Sequence, residues 1–419
     1  MADDPAGRHR LSPNQIAGAI LAVLAIAFVL WQQPWDTDAP PEKPTISADA
    51  GVVIASQIRA LGNARSESEF IAAAGDSEAA REWAKQTYAN IGLIGATDIR
   101  MRFVKGGKDA ARADGATEAT VEVSWRPGSE TGLAEQQTDQ ADTTFVLDPS
   151  ANGTFAIRDA VRGKGALPLW LAGKLDTART KGTTVITVDG GDMAKPILDE
   201  AASAYAAVSK VVTGAKSRLV VVSPHTQTQA AELLDQSTAS IEQIAAVTTT
   251  IDASNNVKAP VVVILNPAVF ATMDARAAQV VMSHEATHLM TDAATAEIEP
   301  WVVEGFADFV ALHDDKAPLS VSAGQILRSV KKDGPPDQLP TAGDFGTIQH
   351  GLGGTYESAW MVFRMLGERF GDDDIMQFYK AVLDGTPTAA ATESTFGLSV
   401  AEITRDWRAY LAKSASITS

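Results

Sequence analysis

The residues best suited to chemistry form an HExxH motif, His284-Glu285-Ala286-Thr287-His288. The motif lies in a helical pattern that begins near Asp274, a residue type that caps helix N-termini. In a helix, the two histidines lie one turn apart on the same face and can chelate one cation, whereas a strand would separate them by about 13 Å. Zinc is favoured, since it accepts imidazole and carboxylate ligands and keeps one position for water. The alternative is a pair of histidines satisfied at a helix surface.

A pair of carboxylates follows this motif. Glu304 and Asp308 are spaced i, i+4 in a second helical pattern, which Pro300 is suited to open. One carboxylate can bind the metal while the other accepts the far ring N–H of a ligating histidine. The alternative, a solvated acidic face, is disfavoured because apolar residues surround the pair.

These motifs, with the segment GTYESAW at 354–360, resemble the gluzincins, the thermolysin-like zinc peptidases, and most closely their membrane-attached bacterial relatives, the peptidase MA-like proteins. The resemblance covers about 180–419. It implies three zinc ligands, which are His284, His288 and Glu304. It also implies that Glu285 is the general base and that Asp308 is the partner of His284.

One spacing differs from that of thermolysin, and another excludes a related class of zinc peptidase. Only 15 residues separate His288 from Glu304, a few fewer than in thermolysin, so the connection must be tight. The metzincin pattern is excluded, because it requires glycine and histidine where this chain has Thr291 and Ala294.

Two residues are candidates for stabilising an oxyanion. Related enzymes carry a tyrosine that donates to the oxyanion, and Tyr356 lies at the matching position. His350, in a glycine-rich stretch, is the second candidate. The alternative for Tyr356 is a packing role at the start of a helix.

The strands before the motif are predicted to bind substrate. Segments 245–251 and 260–265 read as strands joined by a turn-rich segment, which predicts a hairpin. In the resembled fold an edge strand pairs with an extended peptide, and 245–250 is the candidate edge. Helices are predicted at 361–370, 373–382 and 400–411, where they would close the lower half of the cleft.

The preceding region is predicted to form a separate α+β unit. Helical patterns at 55–74 and 77–90 precede period-two strand patterns, and this element order resembles the small domain of nuclear-transport-factor (NTF2)-like proteins. Segment 163–180 reads as a loose stretch. The predicted fold class is thus α+β, with an NTF2-like domain at 48–175 and a zincin domain, with a mixed sheet and a helical lower lobe, at 180–419.

The N-terminal region predicts a membrane anchor. No charge occurs between Leu11 and Trp35, and 16–33 is apolar enough to read as a transmembrane signal-anchor. Basic residues before it place 1–15 in the cytoplasm, and a Pro-rich linker follows at 34–47. A single-pass cell-membrane protein with an extracytoplasmic ectodomain is therefore expected. The alternatives are a cleaved signal peptide and a buried soluble helix.

Composition narrows the functional classes. The formal charge of the 419-residue chain is −17, which argues against a nucleic-acid partner. It has no cysteine, so a metal must be held by histidine and carboxylate. The expected partners are a peptide or protein substrate, a membrane through 16–33, and zinc as cofactor. The alternatives are a zincin-type scaffold without turnover and a purely structural ion.

Overall fold

The chain is a mixed α+β protein with two β-sheets, as predicted at that level. The computed structural model describes residues 47–106, 114–128, 138–216, 218–253, 259–345 and 352–417.

Three helices open the described chain: α1 (Ala48–Asn63), α2 (Glu67–Ala74) and α3 (Glu78–Ile94). A serine hydroxyl caps the start of each by accepting a backbone N–H three residues on. The prediction of one continuous helix over 55–74 is therefore wrong. Ala64 is extended and Ser66 caps a new helix.

These helices pack on a four-stranded antiparallel meander. Its strands, in chain order and in spatial order, are β1 (Thr97–Gly106), β2 (Thr117–Arg126), β3 (Asp139–Pro149) and β4 (Phe155–Lys164). Gly62 lets α1 approach β1 closely, because a Cβ there would lie 2.7 Å from the Met101 nitrogen. The structure shows three helices packed on a meander, which agrees with the predicted α+β unit. The finer assignment to an NTF2-like fold stays a prediction.

The second sheet has the spatial order β5-β6-β7-β9-β8. Its strands are β5 (Leu175–Thr180), β6 (Thr183–Val188), β7 (Leu219–Pro224), β8 (Ala246–Thr250) and β9 (Val261–Leu265). Strands β6, β7 and β9 are parallel, and β5 and β8 run antiparallel at the two edges. The predicted hairpin is confirmed as β8 and β9, and β8 is an edge strand as predicted.

Helices follow and flank this sheet. They are α4 (Ala194–Val211), α5 (Gln227–Leu233), α6 (Pro267–Phe270), α7 (Ala275–Met290), α8 (Pro300–Ala311), α9 (Leu319–Ser322), α10 (Gly324–Asp333), α11 (Ala342–Phe345), α12 (Leu352–Phe370), α13 (Asp372–Leu383), α14 (Thr388–Phe396) and α15 (Val400–Ile417). Helix α7 packs against α4, α8 and β8, and α8 packs against α12. The apolar layer between these elements holds the candidate functional site.

Asn90, which is buried on α3, links this helix to the start of the second sheet. Its side-chain amide donates to the carbonyls of Trp170 (3.1 Å) and Gly173 (2.6 Å). Its Oδ1 accepts from the backbone N–H of Leu175 (3.0 Å), the first residue of β5. All the hydrogen-bonding atoms of this buried amide are thereby used to fix the start of the second sheet.

The predicted transmembrane architecture is corrected by the structure. Within the described ranges no helix combines the length and apolar character needed to cross a membrane. The longest, α12, carries four charged side chains: Glu357, Arg364, Glu368 and Arg369. The described part of the chain therefore gives no support to a single-pass membrane protein or to a cell-membrane location. The predicted anchor at 16–33, the 1–15 segment and the linker up to residue 46 lie outside the described residues.

Candidate metal centre

Helix α7 carries the HExxH residues, and all five of them are buried. Asp274 caps it as predicted, with Oδ1 accepting from the Ala277 N–H at 2.8 Å. His284 and His288 lie one turn apart, and their Nε2 atoms are 2.9 Å from each other. The rings meet edge-on with centroids 4.6 Å apart. Helical periodicity therefore brings the two imidazoles to one point, as their spacing predicts.

Helix α8 brings Glu304 to the same point. Pro300 opens this helix, as predicted, and Glu304 Oε2 lies 3.1 Å from His284 Nε2 and 3.4 Å from His288 Nε2. The close approach of α8 to α12 requires Gly305, because a Cβ there would lie 2.7 Å from the Ala359 carbonyl oxygen. His284, His288 and Glu304 are buried, and each offers a ligand atom within 4.8 Å of the others.

The donor set fits a metal ion. Asp308 Oδ1 lies 2.7 Å from His284 Nδ1, and an imidazole that donates this proton presents a lone pair at Nε2. Two imidazole nitrogens and one carboxylate oxygen then face one buried point. No Lys or Arg within the described ranges forms an ion pair with Glu304 or Asp308. The buried His-His-Glu group can therefore hold a metal ion.

Without a metal, His284 and Glu304 shift each other's pKa values in opposite directions. Burial would lower the pKa of His284, but the charges of Asp308 and Glu304 and their hydrogen bonds outweigh it and raise that pKa. Burial would likewise raise the pKa of Glu304, but the two imidazoles outweigh it and lower that pKa to about 2. Because a metal ion binds a ring nitrogen that carries no proton, the raised pKa of His284 links metal binding to pH.

Glu285 lies beside the three candidate ligands and has no exposed surface. Burial raises the pKa of its carboxyl group. Its Oε2 accepts a hydrogen bond from the hydroxyl of Thr248 on β8. Its Oε1 has no hydrogen-bond partner among the described residues. One carboxylate oxygen is thus held by the protein, while the other is available to accept a proton.

Of the two candidates for oxyanion stabilisation, Tyr356 lies in the described part of the chain and His350 does not. Tyr356 lies on α12, is fully buried, and has its ring centroid 6.2 Å from that of His284. Phe345 packs edge-on against the Tyr356 ring at 5.1 Å. The structure therefore places the Tyr356 ring beside the candidate metal centre. His350 lies outside the described residues.

Thr248 contacts Glu285, and Tyr379 packs against the helices that carry the site; neither residue was singled out from the sequence. Tyr379 stacks on Phe306 of α8 with ring centroids 3.6 Å apart, and its hydroxyl lies 3.3 Å from the Thr291 hydroxyl at the end of α7. It therefore supports both ligand-bearing helices. The sequence did carry one signal for Thr248. Alternate residues of β8 must face the helix layer, so strand alternation could have predicted which side chains lie near α7.

Fold and site together define an α+β protein with a buried group that can hold a metal ion. No protein-family model matches the chain, and no curated protein matches it either. The chemistry of the site is therefore inferred from its own geometry.

Proposed function

We propose that this protein is a zinc-dependent peptidase of the gluzincin type. The observation that carries the proposal is the convergence of His284, His288 and Glu304, with the Glu285 carboxylate beside them. Two imidazoles and one carboxylate form the ligand set of thermolysin-like catalytic zinc sites. The resemblance of the HExxH motif, and of the segment WVVEGFAD at 301–308, to those of gluzincins supports the same assignment.

Zinc is the ion that this donor set favours. His284 and His288 would supply nitrogen ligands and Glu304 an oxygen ligand, while Asp308 would hold the His284 ring in the tautomer that ligates through Nε2. When bound, zinc supplies Lewis-acid polarisation of a carbonyl group and of water.

The protein side chains supply proton transfer and stabilisation of the developing negative charge. Glu285 Oε1 accepts the proton of the water that attacks the peptide carbonyl, and the same carboxyl group then delivers it to the leaving nitrogen. The Tyr356 phenol donates a hydrogen bond to the carbonyl oxygen as negative charge develops there. His350 stays a sequence-based candidate for this second task.

The edge strand suggests the substrate class. Strand β8 pairs with β9 on one side only, and its other edge pairs with no strand among the described residues. An extended peptide can add to such an edge through main-chain hydrogen bonds. Because β8 also contacts Glu285 through Thr248, a peptide bound there would lie beside the candidate base.

A Glu285→Gln substitution tests the proposal. The purified full-length chain with one equivalent of zinc is expected to cleave unfolded proteins or a peptide library, and a chelator is expected to abolish cleavage. E285Q should bind about one equivalent of zinc and lose cleavage, because an amide cannot accept the proton. Glu297→Gln, at an exposed glutamate between α7 and α8, is the control. Wild-type cleavage rates in E285Q would contradict the mechanism.

A structural metal site is the second candidate, and burial favours it. His284 and Glu285 have no exposed surface, and structural zinc sites are closed to solvent. Structural sites, however, hold four protein ligands, whereas the described residues supply three. A zinc-loaded chain that cleaves no peptide, yet unfolds when zinc is removed, would favour the structural role and equally a scaffold protein without turnover.

A further inference from the structure

We propose that Thr248 is a positioning residue for Glu285, an inference that rests on the proposed peptidase function. Thr248 lies in the middle of β8 and is buried. Its Oγ1 lies 3.0 Å from the backbone carbonyl oxygen of Glu285 and also within hydrogen-bonding distance of Oε2. The edge strand is thereby attached directly to the candidate general base.

The hydroxyl donates to the carboxylate in preference to the backbone carbonyl. A threonine hydroxyl has one proton, and both nearby oxygens of Glu285 are acceptors. Hydrogen bonds to an ionised acceptor are about twice as strong as those between neutral groups. Because Glu285 has no exposed surface, water does not compete for this bond.

This bond distinguishes the two carboxylate oxygens of Glu285. Oε2 is engaged by Thr248, whereas Oε1 has no hydrogen-bond partner among the described residues. Thr248 is β-branched and therefore stiff about χ1, and its backbone is fixed opposite Val263 in the β8–β9 ladder. The strand thus fixes the plane of the carboxylate and leaves Oε1 as the proton acceptor.

The arrangement also couples the substrate to the base. A peptide that extends the sheet along β8 is placed in register with the strand that holds Glu285. Catalysis depends on such alignment, since small displacements of a reacting group cost large factors in rate. Thr248 should therefore affect turnover rather than peptide affinity.

Two substitutions at Thr248 test this role. Thr248→Val keeps the shape and removes the hydroxyl, and we expect kcat to fall about 10- to 100-fold with KM changed by roughly twofold or less. Thr248→Ser restores the donor and should recover most of kcat. Thr183→Val is the control, since Thr183 lies on β6, three strands away, and its buried hydroxyl has no hydrogen-bond partner among the described residues. Wild-type kcat in T248V, or equal losses in the valine and serine variants, would overturn the inference.

A double-mutant cycle on the metal-free full-length chain gives a readout that is independent of activity. Thr248→Val is expected to raise the unfolding equilibrium constant about 5- to 20-fold more when Glu285 is present than in the Glu285→Ala background. Equal effects in both backgrounds would show that the two side chains are not coupled and would overturn the inference. Failure of the wild-type zinc-loaded chain to cleave any peptide would instead contradict the proposed function, so the two failures are distinguishable.

Discussion

The Nδ1 atom of His284 lies 2.7 Å from Oδ1 of Asp308, on the side of the ring opposite to the candidate metal position. Glu304, one turn earlier on α8, contacts the other ring nitrogen. A single helix thus contacts both sides of the imidazole, one side with a candidate ligand and the other with an orienting carboxylate. Both contacts are fully or nearly buried, so water does not replace either of them.

Asp308→Asn should weaken zinc binding without removing the site. The amide keeps an oxygen near Nδ1 but loses the charge that fixes the tautomer and strengthens the ligand. We expect the zinc Kd to rise roughly 10- to 100-fold, as for other partners of ligating histidines. Titration against a competing chelator measures this change. Asp314→Asn, at an exposed residue shortly after the end of α8, is the control. An unchanged Kd in D308N would show that Asp308 does not support the ligand.

Metal binding should stabilise the folded chain. A ligand that binds only the folded state adds about 2.7 kcal/mol to the free energy of unfolding when its free concentration is 100 times Kd. Thermal unfolding with and without zinc measures the shift in Tm, and a chelator should reverse it. His288→Ala removes one candidate ligand and should abolish most of the shift. Equal Tm values with and without zinc in the wild-type chain would contradict a folded-state metal site.

The site could be predicted where helical periodicity alone sets the geometry. His284 and His288, and likewise Glu304 and Asp308, are spaced four residues apart, so each pair shares one helix face whatever the rest of the fold does. The contact between Thr248 and Glu285 joins residues 37 apart in sequence. It depends on how β8 packs on α7, which no local pattern specifies.

The fold, like the site, was predictable where a local sequence pattern sets the structure and not where long-range pairing sets it. Strands with apolar alternation or buried apolar runs were predictable, whereas β5 reads Leu-Asp-Thr-Ala-Arg-Thr and is a strand because it pairs with β6. The break between α1 and α2 did carry a local signal. Ser66 caps α2, and the Glu69 carboxylate accepts the Arg65 N–H, so this serine-glutamate spacing marks a helix start inside an otherwise periodic segment.

Gly305→Ala should disturb the site through packing alone. The new Cβ would lie 2.7 Å from the Ala359 carbonyl oxygen and from the Phe363 ring, so α8 must move away from α12. We expect a loss of about 1–3 kcal/mol in the free energy of unfolding and weaker zinc binding through the displaced Glu304. Urea unfolding measures the first effect.

The control is Gly92→Ala, inside α3, where no atom outside the helix backbone lies within 4 Å of the added Cβ. This variant should be neutral or stabilise by up to about 1 kcal/mol. Similar losses in both variants would contradict the packing explanation.

Glu357 is expected to make the stability of the folded chain depend on pH. It is buried on α12 beside Tyr356, and its Oε2 accepts from the backbone N–H groups of Gln325 (2.7 Å) and Ile326 (2.8 Å) in the first turn of α10. Burial raises the pKa of its carboxyl group to about 8. Between pH 4.5 and about 8, we therefore expect the folded chain to keep a proton that the unfolded chain has already lost.

The sign of this effect can be tested with Glu357→Gln. Since the folded state binds the additional proton, the free energy of unfolding of the wild-type chain should fall as pH rises from 4.5 to about 8 and change little from this group above that. Glutamine accepts the same two N–H groups without titrating. The stability of E357Q relative to the wild type should therefore rise by about 1–3 kcal/mol between pH 5 and pH 8, measured by urea unfolding at both values. Glu393→Gln, at an exposed position on α14, should leave the wild-type pH dependence unchanged. Parallel curves for E357Q and the wild type would show that the buried carboxyl group does not titrate in this range.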